Sequence, residues 1–126
     1  MPSRLPRVFV VDDERIISET LATILQQSGF LAVAFNNPLL ALKAAESSPP
    51  DLLISDVVMP QLSGVDLAIR MKALCPQCKV LLFSGQAQTA NLLRAAREQG
   101  HEFLLLTKPV HPRELLKQIQ LQSLVD

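Results

Sequence analysis

The chain contains no tryptophan and no tyrosine, and its five phenylalanines bring the aromatic content to only 4 %. So few rings argue against the stacking platforms on which single-stranded nucleic acids lie, and against an aromatic-lined ligand pocket. Net charge is also missing. Twelve Lys and Arg balance twelve Asp and Glu, so no basic field draws in a polyanion and direct nucleic-acid binding is not expected. No apolar run approaches the roughly 20 residues that span a bilayer, so no membrane insertion is expected. Met1 to Arg7 lead into Val8-Phe9-Val10-Val11 and then at once into acids, unlike a signal peptide. With two cysteines and no export signal, a reducing cytoplasm is the expected compartment. At 126 residues there is room for one hydrophobic core and not for two. The expectation is one domain over 1–126, with an N-terminal extension over 1–6 and no output domain attached.

What is present is a regular alternation. Val8 to Val11, Leu52 to Ile54, Val80 to Phe83 and Phe103 to Leu106, with a weaker run from Phe30 to Phe35, are short continuous apolar stretches. Strands read this way when helices cover both faces of a parallel sheet. Helix-period segments lie between them. Glu14 to Ser28 places Ile16, Ile17, Leu21, Ile24 and Leu25 on one predicted face and stops at Gly29. Asn37 is the predicted N-cap of a second helix, with Pro38 at its first position, that ends before Pro49-Pro50. A third runs from about Ser63 to Leu74, a fourth ends at Gly100, and a fifth starts at Pro112. Five strand-helix pairs predict an α/β domain with a doubly wound, five-stranded parallel sheet in the flavodoxin-like order 2-1-3-4-5, flanked by five helices. Its site is expected at the C-terminal ends of the strands.

Those ends carry Asp12-Asp13-Glu14, Asp56, Ser84-Gly85 and Lys108-Pro109. Carboxylates gathered at one rim repel each other unless a cation neutralises them, and hard oxygen donors suit Mg²⁺. Lys108 adds a fixed positive charge. This set suits phosphoryl transfer, in which the protein positions the reactants and neutralises charge on the equatorial oxygens. Asp56 is then the nucleophile that becomes an acyl phosphate, Asp12 and Asp13 hold the metal, and Ser84 hydrogen-bonds the attached group.

The set resembles the receiver domains of bacterial two-component response regulators, from about Arg7 to the last helix. Val11-Asp12-Asp13-Glu14 is similar to that family's acidic pocket. Asp56-Val57-Val58-Met59-Pro60 with Gly64 is similar to its phosphoacceptor loop, and Ser84 and Lys108-Pro109 to its hydroxyl and lysine signatures. The resemblance implies that Asp13 and Asp56 bind Mg²⁺ directly, with the Val58 carbonyl as a backbone ligand. It also implies a phosphoryl donor that is a sensor histidine kinase, a histidine phosphotransfer protein or a small acyl phosphate, and a downstream protein target that the sequence does not name. Neighbours such as Val58 and Gln86 are expected to set the phosphoryl lifetime. The oligomeric state, a homodimer included, stays open. The family usually has an aromatic residue three positions before the lysine; here that position is Leu105, with Phe103 two residues earlier.

Taken singly, these residues have plainer readings. Paired acids are common at helix starts, where the dipole favours them, and Asp56 or Lys108 alone would pass for turn residues. Their joint placement at one sheet edge favours the site. An aspartate-nucleophile phosphohydrolase needs an Asp-x-Asp after the first strand and a substrate cap, and neither is present. A receiver-like adaptor independent of phosphate is the other rival, against which the intact residue set speaks. Cys75-Pro76-Gln77-Cys78 closes a helix instead of opening one, so structural thiols are expected there, not a redox pair. His101 and His111 have no sequence partner that suggests catalysis, and His111 fits a helix entry.

Overall fold

The structure, a computed structural model, describes residues 5–85 and 89–121. Its elements are β1 (Arg7–Val11), α1 (Arg15–Gln27), β2 (Leu31–Phe35), α2 (Pro38–Ser47), β3 (Leu52–Asp56), α3 (Gly64–Leu74), β4 (Lys79–Ser84), α4 (Thr89–Glu98), β5 (Leu104–Thr107) and α5 (Pro112–Leu121). All strand pairings are parallel, in the order β2-β1-β3-β4-β5. This is the expected doubly wound arrangement, and the order reverses direction between β1 and β3.

The continuous apolar runs are explained by two clusters, one on each face of the sheet. Phe9, Val11, Leu53, Val80 and Leu82 point toward α2, α3 and α4, where they meet Ala41, Leu67 and Met71. Val8, Val10, Leu52, Ile54, Leu81 and Phe83 point the other way, onto Leu21 and Leu25 of α1 and Leu115 and Ile119 of α5. Every residue of β3 is buried. At about 1.5–3 kcal/mol for each fully buried large apolar side chain, Leu52, Leu53 and Ile54 together offer an amount comparable with the net stability of a whole domain, about 5–15 kcal/mol. β3 is therefore enclosed along its whole length, between β1 and β4 and under helices on both faces.

Helix ends follow their local chemistry. The Asn37 side chain accepts from the Leu39 N–H at 2.9 Å with Pro38 in the first turn, as expected. Ser63 caps α3 from outside, accepting from the Asp66 N–H at 3.1 Å, so the helix itself begins at Gly64. The end of α1 is marked by Gly29 with φ +96°, the left-handed region that glycine enters without strain.

The predicted face of α1 needs correction. The residues that reach the sheet are Ser18, Leu21, Ala22 and Leu25, spaced i, i+3, i+4 and i+7. Ile17 and Ile24 flank that stripe and are half-buried, whereas Ile16, two positions before Ser18, is turned outward and 80 % exposed. In β5 the strand starts at Leu104, so Phe103 lies just outside it. Phe103 and Leu105 nevertheless pack against the same cluster.

Candidate functional site

Parallel strands in register bring their C-terminal ends to one rim. Asp12 follows β1 directly, Asp56 is the last residue of β3, Ser84 the last of β4, and Lys108 follows β5. The Lys108 Nζ donates to Asp12 Oδ2 and to Asp56 Oδ2, 3.2 Å in each case, across sequence separations of 96 and 52 residues. One carboxylate oxygen from each of Asp12, Asp13 and Asp56 lies within 4.8 Å of the others. The structure therefore brings together four of the residues singled out from the sequence. Ser84 sits beside them through the backbone, its carbonyl accepting from the Lys108 N–H at 3.1 Å. Val58 is exposed and lines a cleft of about 600 Å³ with Asp13, Glu14, Asp56, Gly85 and Lys108. Gln86 lies outside the described residues.

The backbone holds each carboxylate from behind. Asp12 Oδ1 accepts from the Glu14 N–H at 2.8 Å, at the start of α1, and the Asp12 N–H bonds the Phe35 carbonyl at 3.1 Å. Asp56 Oδ1 accepts from the Val57 N–H at 2.8 Å. The second oxygen of both residues is left facing Lys108. Asp13 is exposed toward the cleft, while Asp12 and Asp56 are buried.

Burial pushes the carboxyl groups of both Asp12 and Asp56 above their ordinary range, because removal from water disfavours the charged form more than Lys108 and the backbone donors favour it. For Lys108 the balance is opposite. Burial disfavours the ammonium, but hydrogen bonds and charge from Asp12 and Asp56 outweigh it and raise the pKa. Two buried carboxylates facing one lysine are under-neutralised, and a cation beside them relieves that. Three hard oxygen donors at this separation fit Mg²⁺.

Two features escaped the sequence reading. Lys108 is not on an open rim; only 22 % of its side chain is accessible, and its Nζ lies 5.2 Å from the centre of the Phe83 ring. Ser55, buried inside an apolar strand, donates from Oγ to the Asp56 carbonyl at 2.8 Å. Its only sequence signal was a hydroxyl within Leu52-Leu53-Ile54-Ser55.

Gly64 is required by close approach. A Cβ there would overlap the Asp56 carbonyl group, while the Gly64 N–H bonds the Val57 carbonyl at 2.7 Å. The obstacle is main chain and cannot rotate away. Gly64→Ala is expected to lower stability by about 1–3 kcal/mol, read as a drop in melting temperature; an unchanged melt would mean that the loop shifts freely.

The cysteines and histidines lie apart from the cluster. Both cysteines are free; Cys78 is buried, and burial pushes its thiol up to about 12, which suits a packing role. His111 Nδ1 accepts from the Arg113 N–H at 3.1 Å, at the entry to α5. His101 stacks on Phe103 with ring centres 5.9 Å apart. Among the described residues, no helix is long and apolar enough to cross a membrane.

The family model described as the response regulator receiver domain matches residues 8–120. The chain is 32 % identical over 113 residues to the transcriptional regulatory protein CreB of Escherichia coli, covering 90 % of this chain and 48 % of that protein, so it spans about half of that relative's length. It is 28 % identical over 116 residues to the response regulator receiver protein CpdR of Brucella abortus, covering 92 % of this chain and 95 % of that one. Among solved structures, a CheY-like receiver domain protein from Methanospirillum hungatei superposes with a TM-score of 0.83 at 25 % identity, covering 94 % of this chain and 93 % of that chain. The chemotaxis response regulator CheY4 of Vibrio cholerae gives 0.79 at 26 % identity, covering 94 % and 98 %.

Proposed function

The chain belongs to the response regulator receiver domain family, and from that premise we propose that it is a phosphorylation switch whose phosphoacceptor is Asp56. The observation that carries this reading is the Lys108 ammonium held 3.2 Å from both Asp12 and Asp56. An aspartate at a strand end is ordinary. One that shares a half-buried lysine with a second buried aspartate, beside a third carboxylate and an open cleft, is equipped for charge-neutralised phosphoryl transfer.

In the proposed reaction the donor is a phosphohistidine on a sensor histidine kinase or a histidine phosphotransfer protein. The Asp56 Oδ2 attacks phosphorus, the P–N bond to the imidazole breaks, and the imidazole leaves with its electron pair and takes up a proton. With acetyl phosphate the P–O bond breaks and acetate leaves. Asp12, Asp13, Asp56 and the Val58 carbonyl are the residues that would hold Mg²⁺, which supplies charge neutralisation at the phosphoryl oxygens when bound. Lys108 covers a second oxygen, and the Ser84 hydroxyl donates to a third. Drawing Ser84 and Lys108 toward the new anion biases the surface from β4 to α5, and that bias is the signal to a downstream protein. The balanced net charge, which leaves no basic field for a polyanion, supports action on a protein partner, with the cytoplasm as the proposed compartment.

The test is intact mass after incubation with acetyl phosphate and Mg²⁺, followed by peptide mapping. One phosphoryl group on the peptide carrying Asp56 is the expected result. A chain that takes up no phosphoryl group and binds no Mg²⁺ would point to a phosphate-independent adaptor.

A further inference from the structure

In β3, Ser55 interrupts an otherwise apolar approach to Asp56. It has no accessible surface and lies between Val11 of β1 and Leu82 of β4, positions where a larger apolar side chain would add to the core. A buried hydroxyl costs free energy unless it is hydrogen-bonded, so its presence calls for a partner, and the partner is the Asp56 carbonyl at 2.8 Å.

That carbonyl is one end of the rigid Asp56–Val57 peptide plane, and the Val57 N–H is the other. The N–H lies 2.8 Å from Asp56 Oδ1 and 3.1 Å from the Phe83 carbonyl. Any rotation of the plane would swing the N–H off the carboxylate. The carbonyl end is gripped by the Ser55 hydroxyl and crowded by Gly64, which leaves no room for a Cβ. The N–H end then fixes Oδ1 and leaves Oδ2 aimed at Lys108, 3.2 Å away.

We propose that Ser55 is a positioning residue for Asp56: its hydroxyl locks the Asp56–Val57 peptide plane, and through that plane it sets the direction of the carboxylate. It touches no reacting atom. The inference rests on the reading of Asp56 as phosphoacceptor, and it adds that the nucleophile is aimed by a hydrogen bond made on the far side of its own backbone.

The experiment compares wild type, Ser55→Ala and Ser55→Thr at a temperature well below melting. It reads the rate of phosphoryl addition from acetyl phosphate, and the Mg²⁺ affinity from the Val57 amide NMR shift. Ser55→Ala keeps the strand but loses the donor; it is expected to slow phosphoryl addition on the order of tenfold and to weaken Mg²⁺ binding. Ser55→Thr, which retains a hydroxyl and suits a strand, is expected to recover both. A purely structural role would lower the melting temperature of Ser55→Ala without moving either readout, and unchanged rate and Mg²⁺ affinity overturn the proposal. If wild type takes up no phosphoryl group, the phosphoacceptor reading fails on that result, and the Mg²⁺ affinity of Ser55→Ala alone decides the role of Ser55.

Discussion

Asp56→Asn is expected to abolish the phosphoryl adduct and, in the absence of Mg²⁺, to raise the melting temperature by a few degrees. The first effect follows from the chemistry, because an amide has no anionic oxygen with which to attack phosphorus. The second follows from burial. Desolvation outweighs Lys108 in setting the Asp56 pKa above its ordinary value, so the charged form of that carboxylate is held in the folded chain at a cost. The amide keeps the shape and the acceptor for the Val57 N–H while removing the charge. The sign is checked by pH. A carboxyl whose pKa is higher folded than unfolded binds protons more readily in the folded state, so stability rises as pH falls toward the carboxylate range and is lowest, for that group, near neutrality. The advantage of Asp56→Asn is therefore largest near pH 7 and narrows in acid. A gain that stayed constant from pH 7 to pH 4 would show that the carboxylate charge is not its origin. Mg²⁺ should stabilise wild type more than the variant.

Lys108→Ala is expected to cut the rate of phosphoryl addition on the order of 10²–10³-fold, as loss of one preorganised electrostatic donor does elsewhere. It also strands two buried carboxylates with no counter-charge. Breaking a buried pair by removing one partner costs about 3–5 kcal/mol; with 22 % of the Lys108 side chain accessible, the lower end applies. A loss of about 3 kcal/mol leaves most domains folded at room temperature. Because Asp12 and Asp56 both take up protons more readily without the ammonium, the defect shrinks as the pH falls. Lys108 itself contributes in wild type with the same sign but in a different pH range: its raised pKa gives stability that is kept through neutral pH and lost as alkaline pH passes the folded value. Time-resolved intact mass and thermal melts at two pH values check both parts. A melting temperature equal to wild type at pH 7 would mean that the carboxylates protonate at little cost.

The fold was legible because both faces of the sheet are covered. That burial forces continuous apolar runs such as Val8 to Val11, and Asn37-Pro38, Gly29 and Pro112 punctuate the chain where helices begin or end. The site was legible as a set, since parallel strands in register must deliver Asp12, Asp56 and Lys108 to one rim. The orientation of individual side chains was not. Ile16 fits the apolar periodicity of α1 by eye, yet the sheet meets a stripe centred on Leu21 and Ala22, and a two-residue offset turns Ile16 outward. Ser55 went unnoticed because a hydroxyl that bonds the next carbonyl has no spacing of its own. The half-burial of Lys108 depends on how Phe83 and two carboxylates close around it, which no single segment encodes.

The five strands are not equally enclosed. β3 is buried throughout and β1 nearly so, while β5 at the sheet edge is exposed at both ends and half-buried between them. Local opening is cheapest where few apolar contacts have to be broken, and segments at the heart of a domain open only with the whole. The carboxylates therefore stand on the part of the molecule that lets go last, and the lysine on a part that lets go early. An opening confined to the edge strand would loosen the lysine's side of the site before the strand that carries Asp56.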